Sequence, residues 1–306
     1  MHPDYNTLLS GLNHEGLIRV SGADAAAFLQ GQLSTDMEKL TPKLSQLSSW
    51  SNAKGRVVTL LQVFRWDDDI FMTLPSGLLP VVLKKLGLYV LRSKVTLTDY
   101  GKETARIGLA GEEAPLLLSG AGIPVPKDIY AVTDTEQHIK AIRLYGALPR
   151  YALYGPADDI ASLKQKLEIA SAQRGNEDAW ALAKILAGEP TVYPETSEHF
   201  VAPMLGLNEL GGIDYKKGCY IGQEVIARAH YRGGVKRHMV RAECETTSML
   251  KPGMDIHDVE QNLPVAEVVD ARMDESGVWR MLLVIQDDFR NTELVHVASG
   301  SSVKLH

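Results

Sequence analysis

The sequence predicts an α+β chain of several domains that closes on a small all-β tail, and three observations carry that prediction. A strand–glycine–helix phrase occurs twice, near residues 17–30 and 106–118. Two amphipathic helices follow one another at residues 158–174 and 177–187. Beyond Val240 only short strands and turns remain. With 306 residues, 45% hydrophobic and 23% charged, the chain has the composition of a folded globular protein and the length for two or three domains.

Taken in order, Leu17 to Gly22 reads as a short strand, and Ala23 to Gln30 as a helix with Ala25, Phe28 and Leu29 on one face. Asn52-Ala53-Lys54-Gly55-Arg56 is a turn signal, and Val57 to Phe64 a strand of β-branched and large apolar residues. Asp67-Asp68-Asp69 then reads as a solvated hairpin turn, because no further carboxylates follow at metal-ligand spacing. Ile70 to Leu74 is the returning strand, Leu78 to Leu91 a helix and Val95 to Thr98 a strand. The second phrase, Arg106 to Leu118, superposes on the first when Gly22 is set on Gly111, which matches Ile18 with Ile107, Val20 with Leu109 and Ala25 with Ala114. Neither copy contains G-x-G-x-x-G, so a dinucleotide fold is not supported. The helix at 177–187 carries Trp180 and stops at Gly188. Lys251-Pro252-Gly253 and Asp274-Glu275-Ser276-Gly277 punctuate the all-β tail.

Composition narrows the function. Met1 to Asn6 is polar and lacks a signal-peptide pattern, and no apolar run approaches the ~20 residues needed to cross a bilayer. Two cysteines form no disulfide framework, so a reducing, cytoplasmic setting is expected. A net charge of −6 argues against a protein that coats nucleic acid. Charge is nonetheless uneven. Lys216, Lys217, Arg228, Arg232, Lys236, Arg237 and Arg241 face a single acid, Glu224, in one stretch. Two readings stand for it: an anion-facing surface or a solvated helix face with a basic turn.

The most informative run is Lys216-Lys217-Gly218-Cys219-Tyr220-Ile221-Gly222-Gln223-Glu224. Helix-compatible residues follow it. With Gly222 in the first helical turn, Cys219 would lie near the cap, where free amide groups and the helix dipole favour an anion. Lys217 would add to that field. Such sites bring a thiol from about 8.5 to roughly 3.5–7.5. The alternative is a small buried apolar cysteine. A zinc site built from Cys219, His230, His238 and Cys244 lacks the close spacing that structural zinc sites use.

The octapeptide Lys217 to Glu224 resembles the signature of the YgfZ family, folate-binding relatives of the glycine-cleavage T-protein. Further blocks fall in the family's order over residues 15–240. These are Phe28 to Asp36, Asn52 to Arg56, Arg92 to Val95, Trp180 with Ala187-Gly188-Glu189-Pro190, Asn208 to Tyr215, and Arg228 with Tyr231-Arg232-Gly233 and Lys236-Arg237. The resemblance implies a T-protein-like fold: two α+β domains around a central cavity and a C-terminal β-barrel-like domain. It places the cavity domain at 1–50 and 104–238, an inserted α+β domain at 51–103, and the barrel at 239–306. It also implies an accessory protein for assembly or repair of iron–sulfur enzymes, tRNA-modifying ones among them. Its cofactor would be tetrahydrofolate, with no stably bound metal. Iron–sulfur enzymes or assembly proteins would be the partners, without direct tRNA binding or membrane association. Cys219 becomes the functional thiol and Lys217 its activator, while Gln223 and Glu224 hold the turn by hydrogen bonding. Trp180, Gln223, Glu224, Arg228, Asn52 and Lys54 become the cofactor-binding positions. The chain departs from the family's pattern at Glu15, Leu186 and Met204. The alternative, a folate-dependent aminomethyl transferase, requires a carboxylate base, and the matching stretch Thr73 to Lys84 holds no acid.

Overall fold

The computed structural model describes residues 7–136, 138–231 and 234–306. Met1 to Asn6, with their polar pattern, and Arg232 and Gly233 of the basic block lie outside the described residues. Two antiparallel-rich sheets and a closed barrel make up the fold. The first sheet runs Gln46–Ser51, Val57–Trp66, Asp69–Pro75, Glu15–Ser21, Thr96–Asp99. The second runs Gln173–Arg174, Leu8–Gly11, Ala105–Ala110, Arg150–Gly155, Lys140–Arg143, Val132–Asp134. Helices α1 (Ala25–Gln30) and α2 (Leu79–Gly87) accompany the first sheet; α3 (Ala114–Gly120), α4 (Ala157–Ile169) and α5 (Glu177–Ala187) accompany the second. Helix α6 (Gln223–Tyr231) leads into the six-stranded barrel, which opens at Arg237–Cys244 and closes on it with Ser301–Leu305. No helix of the described residues is long and apolar enough to cross a membrane.

The strand–glycine–helix phrase is used once in each sheet. Glu15–Ser21 feeds α1 and Ala105–Ala110 feeds α3, and the apolar faces of both helices are buried. The expected partition at 50/51 runs through a sheet. Glu15–Ser21 pairs with Asp69–Pro75, and Gln46–Ser51 pairs with Val57–Trp66, so residues from both sides of that boundary share one sheet. Helix α4 ends at Ile169, not Arg174. Gln173 and Arg174 instead pair in parallel with Leu8 and Leu9, a distant partner that local periodicity does not register.

Candidate functional site

Two neighbourhoods gather the chemistry. The first is a cavity of about 350 Å³ between the first sheet, helix α5 and the segment following α5, with Arg272 reaching in from the barrel. Helix α5 positions its aromatic wall. The Asn176 side chain accepts from Ala179 N at 2.9 Å at the helix start, and Gly188 takes the left-handed conformation at its end. Trp180 is fully buried. Its six-membered ring lies so close to Gly108 that a Cβ there would come within 2.6 Å, and the Arg150 guanidinium sits 5.8 Å from its ring centre. Trp180 Nε1 is buried without a hydrogen-bond partner among the described residues.

Strand register brings one of the cavity's acids, Glu15, into place. Glu15 pairs with Pro75, and Ser76 N donates to His14 O at 2.8 Å. The stretch 73–84, which lacks an acid of its own, therefore shares the cavity with the carboxyl group of a neighbouring strand. Burial pushes Glu15 above the ordinary carboxylate value, against the pull of Lys184 and Arg106. Burial, with Lys184 and Arg272 nearby, takes His14 down to about 4, so its imidazole is neutral at pH 7. Burial would also raise Glu189, yet the charges of Arg150 and Lys184 hold it below its usual value. Residue type and spacing mark neither Glu15 nor His14 as a site residue, and Glu15 stood out only as a departure from the family's pattern. The signal that finds them is the pairing of the first strand with the Asp69–Pro75 hairpin arm.

The second neighbourhood is the cysteine turn. Lys217 is buried, and its ammonium donates to Gln30 O at 2.7 Å, Leu33 O at 2.6 Å and Thr35 O at 2.8 Å. It also lies 4.9 Å from the Tyr220 ring centre. Desolvation brings Lys217 down to about 8, which leaves it mostly protonated at pH 7. With its three donors committed to carbonyls, Lys217 anchors the turn to residues 30–35. The Cys219 thiol is free and exposed, so the buried apolar reading does not hold for it. Cys244, by contrast, is buried in the barrel. Gly222 is not in the first helical turn. Its φ of +80° places it just before α6, and Cys219 belongs to the approaching loop.

Gly222 explains why a separate sequence block meets this turn. A Cβ at Gly222 would come within 2.6 Å of Asn52 O and 2.9 Å of Gly55 Cα. Only a glycine in this left-handed conformation lets the 52–55 turn approach so closely. Asn52 Oδ1 accepts from Lys54 N at 2.9 Å, and Asn52 Nδ2 donates to Glu198 at 2.9 Å. The blocks 28–36, 52–56 and 217–224, far apart in sequence, thus converge on the turn that carries Cys219.

Of the expected cofactor positions, Trp180 lines the cavity. Asn52, Lys54, Gln223, Glu224 and Arg228 do not; they belong to the turn and to α6. Among the described residues the Gln223 and Glu224 side chains make no hydrogen bond, so the turn is held by Lys217 and by backbone contacts such as Ile221 N to Gly31 O at 3.3 Å. Arg228, Lys236 and Arg237 are exposed. On α6, His230 stacks on Tyr215 with centres 3.9 Å apart. Among the described residues no group of three His, Cys, Asp or Glu side chains gathers as a metal site.

No protein-family model matches the chain. Curated relatives do. It is 31% identical over 233 residues to the tRNA-modifying protein YgfZ of Yersinia enterocolitica, covering 76% of this chain and 69% of the relative. It is 30% identical over 248 residues to that of Klebsiella pneumoniae, covering 81% and 75%. Against that of Colwellia psychrerythraea it is 28% identical over 257 residues, covering 84% and 77%. Among solved structures, the glycine cleavage system aminomethyltransferase T from Bartonella henselae superposes with a TM-score of 0.82 at 15% identity, covering 100% of this chain and 86% of that one. The superposition establishes the T-protein fold.

Proposed function

The chain belongs to the YgfZ family, and from this premise we propose that it is a folate-binding accessory protein for iron–sulfur enzymes, tRNA-modifying ones among them, acting through Cys219. The observation that carries this reading is the exposed free thiol of Cys219 on a turn fixed by three carbonyl bonds to Lys217. A thiol used only for packing needs neither exposure nor a rigid mount. Here the sequence devotes a buried lysine and a glycine contact to holding an open sulfur in one place.

The cavity supports the folate part. About 350 Å³ lies within the ~300–1,000 Å³ range of small-molecule sites. The buried Trp180 gives the cavity an aromatic lining residue, and Leu60, Leu74 and Ala152 supply apolar surface around it. Buried polar atoms without protein partners, at His14, Glu15 and Trp180, fit a ligand with polar ring edges. When bound, tetrahydrofolate supplies one-carbon and reducing chemistry at its pterin ring. The chain's own residues exclude water around that ring and hold it, while Cys219 meets the partner from outside. The exposed cations Arg228, Lys236 and Arg237 would draw an acidic partner surface toward the turn.

Complementation of an iron–sulfur enzyme defect tests the reading. The Cys219→Ser protein is expected to fold with an unchanged thermal midpoint and to lose complementation. Full complementation by that variant would remove the sulfur from the function. Tetrahydrofolate titration by calorimetry tests the cavity separately, with Trp180→Phe as the variant expected to bind more weakly.

A further inference from the structure

We propose that Glu15 is a ligand-reading residue: its carboxyl group accepts a hydrogen bond from an N–H edge of a planar heteroaromatic ring of the aminopyrimidinone type bound against Trp180. The clause about ring type rests on the folate reading above; the demand for a donor rests on the cavity alone.

Glu15 Oε2 is fully covered and has no hydrogen-bond partner among the described residues. A buried carboxyl oxygen in that state costs stability, and the rest of the neighbourhood shows that partners are otherwise found. Glu189, a few residues past α5, is bonded to Arg150 and paired with Lys184. Asp178 and Asp270 are both paired with Arg272. Among the described residues lining the cavity, Glu15 is the carboxyl with a covered oxygen left to satisfy, and Lys184, Arg106 and Arg150 all lie near enough to act on it without bonding that oxygen.

The same cations decide the ligand's class. Lys184 and Arg272 line the cavity and disfavour a cationic amine as the group that meets Glu15. A neutral donor edge on a ring satisfies the oxygen without bringing another positive charge. Trp180 Nε1 and His14 Nδ1 are further covered polar atoms on the wall that make no hydrogen bond among the described residues. The indole N–H can only donate. A ring that offers donors on one edge and an acceptor elsewhere therefore satisfies Glu15 and Trp180 together, which a hydrocarbon ring or a simple amine does not.

The test uses the full-length protein, calorimetric titration and three probes: tetrahydrofolate, bare pterin, and a 2-desamino-2-methyl analogue of tetrahydrofolate that lacks the exocyclic amine. Glu15→Leu is expected to weaken tetrahydrofolate and pterin about tenfold to a hundredfold, the range for losing a hydrogen bond to a charged or buried group. The desamino analogue keeps N3–H on that edge but loses the amine, so Glu15→Leu should weaken it less than it weakens tetrahydrofolate. Glu15→Gln keeps the shape and one acceptor oxygen and should fall between the parent and Glu15→Leu. Pterin binding that depends on Glu15, without binding of tetrahydrofolate, would sink the folate reading and sustain the Glu15 assignment. Affinities of parent and Glu15→Leu within twofold for every probe, or no binding of either aminopyrimidinone probe to the parent, would overturn the assignment.

Discussion

Glu15 shows how one side chain carries a cost that the fold offsets elsewhere. Its carboxyl is raised above the unfolded-chain value of 4.5, with burial as the leading cause. The sign of the linkage follows. A carboxyl that holds its proton more tightly in the folded protein contributes most favourably below its unfolded value. That contribution is lost as pH rises from there through the folded value. Glu15→Gln cannot ionise. In the ligand-free protein its thermal midpoint, relative to the parent, should be higher at pH 8 than at pH 4; calorimetric scans at both pH values check this, and an unchanged difference would refute it. In the sequence this residue stood out only as a departure from the family's pattern, with no sign that its carboxyl is buried. At the head of a strand it resembles any solvated acid, and its burial comes from Pro75 and α5, which the chain reaches only after long intervals. Cys219 was legible because its glycines and lysines are contiguous. The direction of the Lys217 ammonium was not, since its three acceptors lie in residues 30–35.

At the level of elements, the local signals that decide a boundary are also those a sequence displays. Helix α5 begins after Asn176 and ends before Gly188, as the cap residues predict. Helix α4 stops early because Ser171 adopts a positive φ of 78° and the chain turns to pair with Leu8 and Leu9. The turn before α6 depends on a contact between elements. Gly222→Ala would place a methyl group against Asn52 O in a backbone region that L-residues avoid. A loss of about 1–3 kcal/mol is expected, read by urea denaturation. The rate of Cys219 alkylation should change with it, because the 52–55 turn has to withdraw. Unaltered stability and alkylation would show that the two blocks touch without supporting each other.

Across the whole molecule, the barrel is joined to the cavity through a polar network. Arg272, on barrel strand Pro264–Met273, pairs with Asp270 at 2.8 Å and with Asp178 of α5 at 2.9 Å. Tyr193 donates to Asp270 at 2.8 Å and receives from Arg272 at 3.2 Å. Asp270 is wholly buried, and burial raises its carboxyl above the ordinary value even with Arg272 beside it. Arg272→Met keeps the length of the side chain and removes the charge. A loss of about 3–5 kcal/mol at pH 8 is expected from the stranded carboxylate, shrinking at pH 5 as Asp270 takes up a proton. Denaturation at the two pH values reads the difference, and a loss independent of pH would point to packing alone. None of this network was visible in the sequence, where Asp270 and Arg272 read as ordinary alternation along a strand.

Because Arg272 comes from the barrel, the cavity has a wall on loan from the C-terminal region. A protein cut back to residues 7–236 would retain the sulfur-bearing loop yet lack that wall. Shortening the chain therefore offers a way to uncouple its two capabilities, one dependent on an enclosed chamber and the other on an outward-facing atom.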